Sequence, residues 1–180
     1  RQEPDSSYRA VASRFLPGKP LGEWEYSGRR KDDPEDLVPH ELRREVRGLC
    51  MIHAWTNNTD CSARNTFDGW VTDGGRSFVR HYVLDFSGAL GSSSIGTMTA
   101  RDGSEHLFDF GAAATALVTL GLRPPRWESA VDPGIPGVGF FESRLFDPDH
   151  WRPFLPNPAF DEATERDLRW GARIIAGFTD

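Results

Sequence analysis

The tetrapeptide Asp73-Gly74-Gly75-Arg76 constrains the fold more than any other stretch. Two consecutive glycines meet the positive φ angles of a tight hairpin turn without steric cost. The flanking runs, residues 66–72 and 77–86, are rich in β-branched and aromatic side chains. The pattern predicts an antiparallel β-hairpin. In its second strand Phe78, Arg80, Tyr82 and Leu84 fall on one face and Val79, His81, Val83 and Asp85 on the other, because successive strand side chains alternate. Asp85 stands where extended backbone gives way to a loop.

Around the hairpin the periodicity is helical. Over residues 39–55, Leu42, Val46, Leu49, Cys50, His53 and Ala54 recur at the three-and-four spacing of one helical face, and Pro39 suits the first turn. Gly48 costs that helix about 1 kcal/mol relative to alanine. The polar cluster 56–60 then forces a loop. A second helix is expected over 106–120, with Gly121 as its stop. A last amphipathic helix is expected over 161–178, with Leu168, Ala172, Ile175 and Ala176 facing inward. Residues 8–16 read as a strand leading through Pro17-Gly18-Lys19-Pro20 into a connector, residues 31–36 as a solvated charged loop, and residues 87–94 as a mobile small-residue stretch. Prolines 133, 136, 148, 153, 156 and 158 make the segment before the last helix irregular. The fold class is α+β, a mostly helical body with a β-hairpin.

At 180 residues there is room for one ordinary domain, and 38% hydrophobic content supplies its core. The balance of 21 basic against 27 acidic residues, a net charge of −6, is the wrong sign for a phosphate-backbone binder, so no nucleic-acid partner is expected. No apolar run approaches the roughly 20 residues of a membrane span. Cys50 and Cys61 are too few for a disulfide scaffold and lack zinc-site spacing. The Arg start and a last helix without a stop signal lead us to expect a piece of a longer chain.

Chemistry concentrates between residues 57 and 86. Asp60 lies in the loop after the first helix, Asn65 five residues on, and Asp85 after the hairpin. In phosphoryl transfer one carboxylate orients or deprotonates the attacking hydroxyl, while an Asn and another Asp hold Mg²⁺. Magnesium takes hard oxygen ligands and often only one or two from protein, which Asn65 and Asp85 would supply. The plainer alternative is local: Asp and Asn are common in loops because their side chains cap turns. His53, on an apolar helix face without a second metal-type ligand nearby in sequence, reads as a core histidine, and no role is expected for His81.

Asp60-Cys61-Ser62-Ala63-Arg64-Asn65 resembles the catalytic loop of the protein-kinase-like fold, and Asp85-Phe86-Ser87 resembles its Asp-Phe-Gly turn. The order helix, loop, hairpin, turn also agrees, and the long gap from Asn65 to Asp85 is more like the divergent HipA-type and lipid-kinase-like members. The resemblance covers about 30 residues. It implies an ATP- and Mg²⁺-dependent phosphotransferase acting on a protein or small-molecule hydroxyl, with Asp60 as base or orienting acid, Arg64 as a charge-stabilising contact, and Asn65 and Asp85 as metal and nucleotide ligands. It also implies that residues 1–36 are the end of a small lobe with a hinge-like connector and residues 37–180 a large lobe. Asn58 stands where the family has His, Ser87 where it has Gly, and no glycine-rich loop or strand Lys precedes residue 8. The isolated chain is therefore expected to be inactive, and a pseudokinase-like nucleotide- or protein-binding module, a structural domain and a hydrolase using the same acids are the alternatives.

Overall fold

The protein is described by a computed structural model over residues 14–93, 96–131, 139–141 and 147–178. For the strand expected at 8–16, only residues 14–16 are described, and these are not in a strand. We number the strands β1 (Lys19–Gly22), β2 (Thr66–Asp73), β3 (Arg76–Val83), β4 (Ser92–Ser93) and β5 (Gly96–Thr97). The hairpin forms as β2 and β3, in unbroken antiparallel register from Thr66 opposite Val83 to Asp73 opposite Arg76. Gly74 and Gly75 take φ values of 57° and 76°, the left-handed pair that the turn requires. The second strand stops earlier than the alternation suggests. Asp85 has a φ of 52°, and extended backbone cannot pass through that conformation.

The connector belongs to the sheet. β1 pairs antiparallel with the free edge of β2, with a bulge between Pro20 and Gly22, giving the order β1-β2-β3. β4 and β5 form a separate two-stranded sheet. It falls partly in the stretch expected to be mobile, which is instead tied down: Leu90 N–H donates to Thr56 O at 2.7 Å, and Ala89 is buried.

Four helices follow the same numbering: α1 (Arg44–Thr56), α2 (Phe110–Val118), α3 (Pro158–Asp161) and α4 (Glu165–Ile175). The first is shorter than its apolar periodicity. Arg43 is extended at ψ 128° and separates α1 from a 3-10 turn at His40–Leu42. The expected last helix is split into α3 and α4, because Thr164 caps α4: Asp167 Oδ2 accepts from the Thr164 N–H at 2.9 Å and from its hydroxyl at 2.7 Å. α4 packs on α1 through Gly171, whose added Cβ would lie 2.9 Å from Met51 Cβ and nearer still to the Gly48 carbonyl. Gly48 therefore sits at the closest approach of the two helices. Asp167 and Gly171 are the buried residues of α4, Leu168, Ala172 and Ile175 are half-buried, and Ala176 is exposed rather than inward. Arg47 Nε donates to Asp167 Oδ2 at 2.8 Å across the crossing.

The core joins Val46, Cys50 and Ala54 of α1 with Trp24, Tyr26, Trp151, Ala159 and Phe160. Both cysteines are free thiols, and burial pushes the Cys50 pKa up to about 11. The charged run at 31–36 is not wholly solvated. Asp36 is buried, bonded to Arg43 and, at 3.0 Å, to His40 Nε2. Asp109 caps α2 by accepting from Ala112 N at 2.8 Å, so this helix starts later than expected, and no residue in it is buried. No helix among the described residues is long and apolar enough to cross a membrane. Over the described residues the protein is a small α+β domain with four α-helices and two small antiparallel sheets.

Candidate functional site

α1 ends at Asn57, whose left-handed φ of 49° turns the chain through Asn58 and Thr59 to Asp60. Asn65 Nδ2 donates back to Asp60 O at 3.0 Å and closes the loop. The exit of the hairpin then docks on it, with Leu84 N–H donating to Asn65 O at 2.8 Å. Gly88 completes the contact: a Cβ added there would stand 3.8 Å from Asp60 Cβ and 3.5 Å from Asn58 Oδ1. Asp60, Asn65 and the turn carrying Asp85, which lie up to 25 positions apart in sequence, are thus neighbours on one surface. Beneath them the His53 and Phe86 rings stack at 6.4 Å, 14° from parallel.

The Asp60 carboxylate is exposed and accepts no hydrogen bond from the described residues. Arg64 is exposed and makes no ion pair with them. Asp85 is also exposed, and its Oδ1 accepts from Ser87 N at 3.0 Å. Hydrogen bonds from the Ser87 side chain and backbone hold its carboxyl below the usual range, so it is anionic at neutral pH. The turn-capping geometry weighed above is thus present in the side chains of Asn65 and Asp85. Among the described residues no three His, Cys, Asp or Glu side chains gather to hold a metal ion. Asn65 Oδ1 and the Asp85 carboxylate are hard oxygen donors of the type magnesium takes.

The floor of the loop carries a cost that spacing cannot reveal. His53 Nδ1, both amide atoms of Asn58, Thr59 Oγ1 and Tyr26 Oη are buried with no hydrogen-bond partner among the described residues. Native proteins leave few such atoms. Burial lowers the His53 pKa to about 4 and keeps the ring neutral, and it pushes the Tyr26 phenol up, with Cys61 and Asp60 adding to the shift. His53 is 2% exposed and touches Phe86 and Phe160, as a core histidine should.

Asp68 and His81 were missed. Asp68 is fully buried in β2, where Arg30 Nη1 donates to it at 2.7 Å and His81 Nδ1 lies 2.5 Å away. Its one sequence signal was an acid in the middle of a β-forming run. A cavity of about 530 Å³ lies elsewhere and is not lined by Asp60, Asn65 or Asp85. Comparison of the chain with protein-family models, with curated proteins and with solved structures finds no match.

Proposed function

We propose that this chain carries the acid, metal-binding and turn elements of a kinase-like ATP- and magnesium-dependent phosphotransferase, acting on a protein or small-molecule hydroxyl. The observation that carries the reading is the docking of the post-hairpin turn on the Asp60 loop, through the Leu84 to Asn65 bond and the bare Cα of Gly88. Phosphoryl transfer is catalysed chiefly by positioning and charge, so it needs these groups side by side. Asp60, exposed and with its carboxyl unengaged among the described residues, would orient the acceptor hydroxyl and take its proton. Asn65 and Asp85 would hold the magnesium ion, which when bound neutralises phosphate charge. Arg64, exposed beside them, would meet the transferring group.

The engagement of Asn65 and Asp85 in local hydrogen bonds favours a second reading, a nucleotide-binding module without turnover. Titration of Mg-ATP against the chain, read by thermal shift, tests both. Asp85→Asn should abolish a magnesium-dependent shift, whereas Asp60→Asn should leave it intact and remove any phosphoryl transfer. A shift without transfer in the unaltered chain supports the binding module. No magnesium-dependent shift, or one untouched by Asp85→Asn, overturns the assignment.

A further inference from the structure

We propose that the cavity of about 530 Å³ lined in part by Asn57 binds an organic cation, an ammonium or guanidinium group carried on an apolar or aromatic body. This site shares no residue with the Asp60, Asn65 and Asp85 cluster and stands independently of the phosphotransferase reading.

The cavity is of the size that takes small molecules. Its walls include Trp55, Trp127, Trp151 and Phe140, with Glu105 and Asp147 among them. The frame is built rather than incidental. Trp151 Nε1 donates to Asn57 Oδ1 at 2.9 Å, Asn57 Nδ2 donates to Asp102 O at 3.2 Å, and Trp127 Nε1 donates to Glu105 Oε1 at 2.7 Å. Gly103 permits the first of these contacts: its φ is 85°, and an added Cβ would lie 2.9 Å from Trp151 Nε1 and inside the Asn57 side chain.

These bonds decide what the cavity can recognise. The Trp127 and Trp151 indole N–H groups and the Asn57 amide are engaged, and the Arg126 guanidinium donates one of its N–H groups to Asp147 Oδ2 at 3.0 Å. Much of the wall's donor capacity is therefore taken up within the protein. Acceptors remain, since Asp102, Glu105 and Asp147 line the space and, although Arg101 Nε donates to Glu105 Oε2 at 3.0 Å, each carboxylate has about four lone-pair sites. The hydrogen bond from His150, with Arg126 nearby, keeps the Asp147 carboxyl below its usual range and ionised. Aromatic faces attract cations through their quadrupole, and carboxylates supply the counter-charge. An anion would meet three carboxylates against the Arg126 guanidinium, and a neutral apolar ligand would leave the carboxylates unused.

Isothermal titration of the full chain with phenethylammonium, phenethyl alcohol and phenylacetate, three probes of one shape and different charge, tests this. The ammonium compound should saturate and bind at least about tenfold more tightly than the alcohol, and phenylacetate should not bind. Glu105→Gln and Asp147→Asn should each weaken the ammonium compound by about threefold or more while the circular dichroism spectrum stays unchanged. Should either variant lose its fold, Trp55→Leu, at a surface-accessible wall position, should weaken it comparably. The proposal is overturned if the alcohol binds as well as the ammonium compound, if none of the three saturates by about 20 mM, or if the folded variants bind it unchanged.

Discussion

Acidification from about pH 7.5 to about pH 4.5 should destabilise this protein by about 2.5 kcal/mol through His53 alone. The unfolded imidazole titrates at its ordinary 6.5, whereas the buried ring in the folded state titrates at about 4. Between those values the unfolded chain binds a proton that the folded chain refuses. Stability therefore rises with pH through that window and falls as acid is added, by about 1.4 kcal/mol per pH unit where the two states differ fully. Urea unfolding followed by tryptophan fluorescence at several pH values measures the slope. His53→Phe provides the comparison, because it keeps a ring against Phe86 and Phe160 and removes the titrating group. The unaltered protein should lose about 2.5 kcal/mol more than the variant over this range. Parallel pH profiles would refute the reasoning, since they would mean that the folded protein accommodates the charged ring as readily as water does.

Asp167→Ala should cost about 3 kcal/mol near neutral pH, because it removes the α4 cap and strands Arg47 at the helix crossing. Burial opposes ionisation of Asp167, but its bonds from Arg47 and Thr164 prevail and pull it to about 2. The contribution, present above the unfolded value of 3.8, should vanish as pH falls through 2, which acid titration of both proteins would show. Gly171→Ala should destabilise by about 1–2 kcal/mol in thermal denaturation although alanine is the better helix former, since the crowding at Met51 and Gly48 outweighs a propensity gain of about 1 kcal/mol. Arg30→Met should cost about 3 kcal/mol in urea unfolding by leaving the buried Asp68 carboxylate with His81 alone.

What was legible in the sequence was what local chemistry decides. The Gly74-Gly75 turn and its flanking runs carry their own geometry, so the hairpin emerged with its register. β1 was invisible because Lys19-Pro20-Leu21-Gly22 has little strand propensity and becomes a strand only by pairing with β2. The start of α1 was misplaced for a similar reason: Arg43 reaches Asp36 and the Val38 carbonyl, tertiary contacts that no helical periodicity encodes. In the candidate site, Asp60, Asn65 and Asp85 stood out by residue type and order. Asn58 and Thr59, whose buried side chains have no hydrogen-bond partner among the described residues, read in the sequence as ordinary loop residues, because burial is not written in spacing. The cavity draws its wall from five separate stretches, at positions 55–57, 100–105, 125–127, 140–141 and 147–151, and folding alone assembles it.

The placement of β1, Trp24 and Arg30 sets how far the chain can be trimmed. Cutting at residue 37, the boundary that a hinge-like connector would suggest, would remove the strand covering one edge of β2 and the guanidinium opposite Asp68. It would also remove the Tyr26 ring, 5.5 Å from Phe160. Each loss falls inside the body that such a cut is meant to isolate. A piece that keeps these contacts therefore begins at or before Lys19, and the stretch that looks like a tether packs into the body it was expected to join.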